Sequence, residues 1–406
     1  MSNQLLETIA RKIDVDYVLS TACKLVQIPS ENPPGDESKV GEFILQQLRL
    51  FKNVSRVTTI EPAPNRVNIL AWIEGTRQDY TCLFNGHMDV VPAGSGWSVP
   101  PYGGLIKENR LWGRGACDMK GALAAFLGVI KFLHDTRFVP SVNLCFSFVA
   151  DEENGGALGT GFLLEQDVLH ADMAIVGEPS NFSLSIGENG VAWITVCIHG
   201  SSGHTIYYYT KINPIEKAIG VLLALREVAK WLTEFYSPTY GRPILSINVI
   251  QSGTKINIIP NNCVIQADLR LPPQLPITIM DVCKAIKEKI SYLQQQDPNF
   301  KYSLNIHTVA NPFCQEPSIP PVLLIRRAYK LITGSEPSWW VRESQIPKED
   351  SDMYHLWVKG KIPTVYFGPG EVELAHAPNE SIALADLILA AKVFAAAACL
   401  AEPGTK

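Results

Sequence analysis

The chain has 406 residues, of which 46% are hydrophobic and 18% charged, and carries a formal charge of −5. That length and apolar content predict two domains around a large core, while an acidic balance with no block of Lys and Arg argues against nucleic acid as a partner. Nine cysteines, an odd number scattered from Cys23 to Cys399 without paired spacing, argue against a disulfide framework or a cysteine zinc site.

In chain order, residues 1–14 mix Glu7, Arg11 and Lys12 with Leu and Ile. No uninterrupted apolar stretch or cleavage site stands there, so a cytoplasmic protein is expected. Apolar runs then predict strands over 67–73 and 81–84, a helix over 122–133, and strands over 142–149 and 173–176. Continuous Val, Ile, Leu and Phe in these runs indicate strands buried on both faces, as in α/β sheets. A second rhythm follows: a strand over 191–198, a helix over 213–236 with Pro214 in its first turn, strands over 244–250 and 263–269, a helix over 279–294 and a strand over 302–309. This β-α-β-β-α-β order predicts a ferredoxin-like unit. A strand over 364–367 and an Ala-rich helix over 382–401 close the chain. That helix carries Asp386 and Lys392, and no run reaches the roughly twenty apolar residues of a membrane span. The expected organisation is a discontinuous α/β domain, residues 1–189 and 310–406, with residues 190–309 inserted.

Five polar clusters sit where apolar runs end. They are Gly86-His87-Met88-Asp89, Gly113-Arg114-Gly115-Ala116-Cys117-Asp118-Met119-Lys120-Gly121, Asp151-Glu152-Glu153, Gly177-Glu178-Pro179-Ser180 and Ala375-His376-Ala377-Pro378. Imidazole and carboxylate suit zinc, cobalt or manganese, and four gathered carboxylates repel one another unless a cation neutralises them. His87, the acidic triplet and Glu178 fall past the carboxyl ends of predicted strands, where open α/β sheets place active sites.

Each cluster alone has a plainer reading. His87 and the acidic triplet suit solvated turns, Asp118 suits a helix N-cap, Glu178 a Glu-Pro turn, and His376 a core or surface histidine. The sharper reading assigns distinct tasks. Asp89, two residues after His87, can support a ligand histidine. Asp118 has two oxygens and can bridge two cations. Adjacent Glu152 and Glu153 point in different directions, so one can ligate while the other takes a proton from water.

With all five clusters in this order, and Val26-Gln27-Ile28-Pro29-Ser30-Glu31-Asn32-Pro33-Pro34-Gly35 ahead of them, the sequence resembles the metallohydrolase family of acetylornithine deacetylase, succinyl-diaminopimelate desuccinylase, aminoacylase and glutamate carboxypeptidase. The resemblance covers nearly the whole chain. It implies a zinc-exopeptidase-like α/β/α catalytic domain, with the inserted ferredoxin-like unit serving as a dimerisation or lid domain. It further implies two divalent ions, zinc first and cobalt or manganese as alternatives. His87 and Glu178 would hold one, Glu153 and His376 the other, and Asp118 would bridge them. Glu152 matches the family's general base and Asp89 its histidine-orienting carboxylate. Met119 stands where the family usually has a second Asp or Asn joined to the bridging Asp by a cis peptide.

In the inserted unit, His204 of Ser201-Ser202-Gly203-His204 matches the histidine that reaches a partner subunit's active site and steadies the oxyanion, which makes a homodimer the expected state. Asn257 and Arg270 match substrate-binding positions, and Arg suits bidentate capture of a carboxylate; surface or packing roles are the alternative. Gly368 and Gly370 of Gly368-Pro369-Gly370 resemble the loop that holds the substrate's terminal carboxylate, and otherwise form a turn. Tyr207-Tyr208-Tyr209 departs from the usual small-residue and proline segment, and suits either the acyl pocket or the dimer surface.

The implied reaction is hydrolysis of the amide of an N-acyl amino acid or related amine. A dipeptidase or carboxypeptidase of the same family is the alternative. With every ligand and base position filled, a protein that has lost catalysis is disfavoured.

Overall fold

The computed structural model describes residues 2–339 and 351–403. They form two compact units, one of residues 2–186, 315–339 and 351–403 and the other of Gly187–Cys314.

The first unit is built on a six-stranded sheet. Its strands are β1 (Arg56–Ile60), β2 (Asn68–Ile73), β3 (Arg77–His87), β4 (Val142–Val149), β5 (Met173–Val176) and β6 (Thr364–Tyr366), in spatial order β1-β2-β4-β3-β5-β6. β4, β3, β5 and β6 run parallel, and the antiparallel pair β1 and β2 finishes one edge. Apart from the first five residues of β3, the parallel strands are almost wholly buried, as expected for a sheet covered on both faces. β3 begins four residues earlier than its apolar run, because the exposed Arg77 end still pairs with Val142. β1 has a mostly exposed, Thr-rich sequence with no apolar period to announce it.

Helices α1 (Val15–Val26), α2 (Lys120–Thr136) and α3 (Leu384–Leu400) pack on one another. Phe84 and Phe146 on the sheet stack at 4.9 Å, and Phe126 of α2 and Phe394 of α3 close over them. This aromatic cluster fixes α2 against the sheet, and with it the turn that precedes α2. No helix among the described residues is long and apolar enough to cross a membrane.

The second unit follows the β-α-β-β-α-β order: strand Gly190–His199, helix Pro214–Leu232, strands Ile244–Ser252 and Asn262–Leu271, helix Ile279–Gln296 and strand Lys301–Ala310. The four strands pair antiparallel, with Asn262–Leu271 and Gly190–His199 central and Ile244–Ser252 and Lys301–Ala310 at the edges. Asn213 caps the first helix through the Ile215 amide, and Thr278 and Asp281 form a reciprocal capping box on the second. The first helix stops four residues short of its apolar pattern. Pro238 disfavours helix in the residue before it, and the Arg242 guanidinium donates 2.7 Å to the freed Thr233 carbonyl.

Candidate metal centre

Three adjacent parallel strands deliver three of the clusters to one edge. His87 is the last residue of β3, the central strand of the three. Glu178 lies two residues past β5 on one side, and Glu152 and Glu153 lie three and four past β4 on the other. Neighbouring strands sit about 4.8 Å apart, so residues at their ends converge without any special loop. His87 Nε2 is 3.3 Å from Glu178 Oε1 and 3.8 Å from Glu152 Oε2.

The remaining groups come from loops. Asp118 belongs to the turn before α2, but Met119 occupies the N-cap position and no side chain caps the helix. The Asp118 carboxylate instead faces both imidazoles: Oδ1 is 3.0 Å from His87 Nε2 and Oδ2 is 3.1 Å from His376 Nε2. His376 Nε2 is also 3.1 Å from Glu153 Oε2. The Asp118–Met119 peptide is cis. His376 has φ 61° and Asp151 φ 70°, left-handed conformations that cost a non-glycine residue about 1–3 kcal/mol and persist where the surroundings enforce them.

Those surroundings are visible. The Asp89 carboxylate accepts the backbone N–H groups of Glu152 (3.2 Å) and Glu153 (3.1 Å), and Asn32 donates to it at 2.8 Å. Arg66 donates to Asp151 and to Glu37, each at 2.9 Å. His87 Nδ1 meets the Asp89 backbone carbonyl at 2.9 Å, nearer than the Asp89 carboxylate at 3.4 Å. Asp89 therefore orients His87 through its main chain and shapes the acidic turn through its side chain.

Asp118, Glu152, Glu153 and Glu178 outnumber the two imidazoles facing them, and the field responds. Burial opposes a charge on His87, yet Glu178, Glu152 and the contacts with Asp118 and Asp89 together lift its pKa well above the ordinary value. Burial also opposes the charge on His376, and its contacts with Asp118 and Glu153 raise its pKa to about 10. The pocket attracts positive charge, and protons supply it where cations are absent. Nitrogen and oxygen donors without thiolate suit divalent ions of borderline hardness. Candidate ligand atoms of His87, Glu152 and Glu178 lie within 4.8 Å of one another, as do those of His87, Asp118 and Glu153. Distance alone therefore admits Glu152 as a ligand as well as a base. Cys117, next to Asp118, is buried with its thiol pKa well above the ordinary value, and its Sγ donates to the Glu371 carbonyl.

Sequence reasoning passed over Arg114 as a functional residue and missed Glu380 altogether. Glu380 accepts the N–H groups of Gly115, Cys117 and Asp118 at 3.1, 2.8 and 3.0 Å, and Arg114 Nη1 at 2.6 Å. Its only sequence signal is a glutamate four residues after His376. Gly368 and Gly370 are demanded by packing: a Cβ on Gly368 would meet the Glu178 carbonyl oxygen at 2.4 Å, and one on Gly370, at φ 98°, would meet Cys117 Sγ at 2.5 Å.

The other expected residues lie in the second unit. Gly203 pairs with Ile259 and His204 with Ile258, which brings His204 Nε2 within 3.5 Å of Asn257 Nδ2. His204 is exposed, as are Tyr207, Tyr208 and Tyr209 on the turn after it. Arg270 lines a hollow on the sheet face beside Trp193 and His307, and its Nε donates 2.7 Å to Asp268.

The sequence profile of peptidase family M20/M25/M40 matches residues 83–399. An N-formyl-4-amino-5-aminomethyl-2-methylpyrimidine deformylase of Halalkalibacterium halodurans is 26% identical over 92% of this chain and 91% of its own length. A succinyl-diaminopimelate desuccinylase of Helicobacter hepaticus is 31% identical over 73% of this chain and 76% of its own. Among solved structures, a tripeptidase from Staphylococcus aureus superposes with a TM-score of 0.75 at 18% identity, covering 96% of this chain and 99% of that one.

Proposed function

The chain belongs to peptidase family M20/M25/M40 and is a metal-dependent amide hydrolase, and from that premise we propose that it uses two divalent cations, zinc first, to remove the acyl group from an N-acyl amino acid or related amine. The observation that carries this reading is the Asp118 carboxylate, whose two oxygens each face a different imidazole at 3.0 and 3.1 Å. His87 and Glu178 would hold one ion, Glu153 and His376 the other, and Asp118 both. Acyl rather than peptide substrates are favoured by the deformylase and desuccinylase relatives, which match most of the chain.

When bound, such ions lower the pKa of a coordinated water and polarise the scissile carbonyl. Glu152, buried and beside His87, would take a proton from water and return it to the leaving nitrogen. Asp89 holds the Glu152 amide, and so fixes where that carboxylate points. His204 would donate to the developing oxyanion, with Asn257 beside it and Arg270 binding a substrate carboxylate. Gly368 and Gly370 would lie in the loop that receives that carboxylate. For His204→Ala a fall in kcat of about 100- to 1,000-fold is expected, with metal content unchanged.

His204 would act in the partner subunit of a homodimer. Ile215, Ile219 and Leu223 form an exposed apolar stripe at helical spacing, and the edge strand Ile244–Ser252 leaves Ile244 and Ile250 exposed. Both features suit pairing with a second copy. Nine free thiols suit a reducing compartment such as the cytoplasm. Amine release from N-acetyl, N-succinyl and N-formyl amino acids and from dipeptides, with zinc-loaded and chelated protein, tests the reading. Chelator-sensitive turnover of N-acyl amino acids is expected, and a preference for dipeptides would replace it with a peptidase.

A further inference from the structure

We infer that the buried Arg114–Glu380 pair is a positioning device for the loop-borne half of the centre, fixing Asp118 and His376 at the separation that the second cation requires. The inference rests on the two-cation reading above and concerns what sets the affinity of one site against the other.

Glu380 and Arg114 are almost completely buried. A buried carboxylate held only for its own sake would need one cationic partner. Glu380 has that in Arg114 and in addition collects three successive-region amides, those of Gly115, Cys117 and Asp118. It thereby dictates the path of the turn from which the Asp118 side chain projects. The backbone adds a fourth tie, from the Gly113 N–H to the Glu380 carbonyl at 2.9 Å.

The other end of the pair reaches the histidine loop. Arg114 Nη2 donates to the His376 carbonyl at 3.2 Å and Nη1 to the Ala377 carbonyl at 3.4 Å, while the guanidinium lies 5.3 Å from the centre of the Trp97 ring. His376 is in a left-handed conformation, and the hydrogen bond at its carbonyl helps hold that conformation. One ion pair therefore joins two loops that are more than 250 residues apart in sequence, and each loop supplies a ligand candidate for the second cation.

The first cation does not depend on the pair to the same extent. His87 and Glu178 are set by the β3 and β5 strand ends, and only Asp118 is shared. Of the three groups assigned to the second cation, Asp118 and His376 are both fixed by Arg114 and Glu380, and Glu153 is fixed by Asp89. Loss of the pair should weaken the second site selectively.

Arg114→Lys keeps a cation against Glu380 but cannot fork to the two loop carbonyls. Glu380→Gln keeps an oxygen for Cys117 and Asp118 and turns an amide towards Arg114 and Gly115. Metal-free wild type and both variants would be titrated calorimetrically with Zn²⁺, and turnover followed as the metal is raised. The expected result is a second affinity lowered about 10- to 100-fold, a first affinity lowered much less because only Asp118 is shared, and kcat restored by excess metal. A loss concentrated on the second site is a response that general damage to the fold would not give, since metal binding also supports a weakened fold. Equal weakening of both sites, or no weakening of either, overturns the inference. If Glu380→Gln fails to fold, Arg114→Lys decides on the same outcomes. Should wild type bind a single ion, the two-cation reading falls; should it bind two while both variants match it, this inference falls alone.

Discussion

The two histidines that face Asp118 are carried by unlike parts of the fold. His87 ends the central strand of a covered parallel sheet and has no exposed surface, whereas the His376 side chain sits on a loop and is 42% exposed. The difference separates two kinds of precision. On the sheet side, hydrogen-bonded strands place His87 and Glu178, and only the Asp89 carbonyl is added to orient the His87 ring. On the loop side, a network of buried polar groups must do what the strands do elsewhere: Asp89 for the acidic turn, Arg114 and Glu380 for Asp118 and His376.

Asp118→Ala removes the group common to both sides. It should lose both ions and turnover to the limit of detection, as read by metal analysis and amine release; an enzyme that keeps one tight ion would place the bridge elsewhere. Glu152→Ala should lower kcat about 100- to 10,000-fold and leave metal content unchanged. Loss of one equivalent of metal would instead make Glu152 a ligand of the sheet-side ion.

The histidines should also separate on stability. His87→Ala leaves buried carboxylates without their partner and should destabilise the metal-free protein by about 3 kcal/mol or more. His376→Ala, where solvent around the half-exposed ring screens its contacts, should destabilise it clearly less. Equal losses in denaturant titrations would erase the contrast. A smaller effect follows from pH. The pKa of His376 is raised from 6.5 to about 10 in the metal-free fold, so its protonation stabilises that fold fully below about pH 6.5. The contribution is lost as pH rises through about 10. The melting temperature of metal-free protein should fall between pH 7 and 10, and His376→Ala should flatten that slope.

The same contrast explains what the sequence disclosed. The parallel strands announce themselves through unbroken apolar runs, so the placing of His87, Glu178 and the acidic triplet at one sheet edge follows from knowing where the runs stop. The ferredoxin-like order is legible for a similar reason, since its strands and helices keep their periods. The loop side is not legible in this way. The polar edge strand Arg56–Ile60 and the three-residue strands Leu105–Lys107, Arg110–Trp112 and Ser381–Ala383 are too short or too polar to show a period. Glu380 works by accepting hydrogen bonds from the backbone amides of a segment more than 260 residues away, and backbone donors leave no mark on residue type. Asp118 is the intermediate case: its identity fits both a helix cap and a bridge, and only the position of Met119 at the N-cap separates the two.

Stepwise reloading of the chelated enzyme with zinc tests the two-sided centre most directly, with amine release from an N-acyl amino acid measured at each addition. The account predicts a tight first equivalent, a weaker second, and full turnover only as the second binds. Full turnover at one equivalent, or turnover that survives chelation, would contradict it.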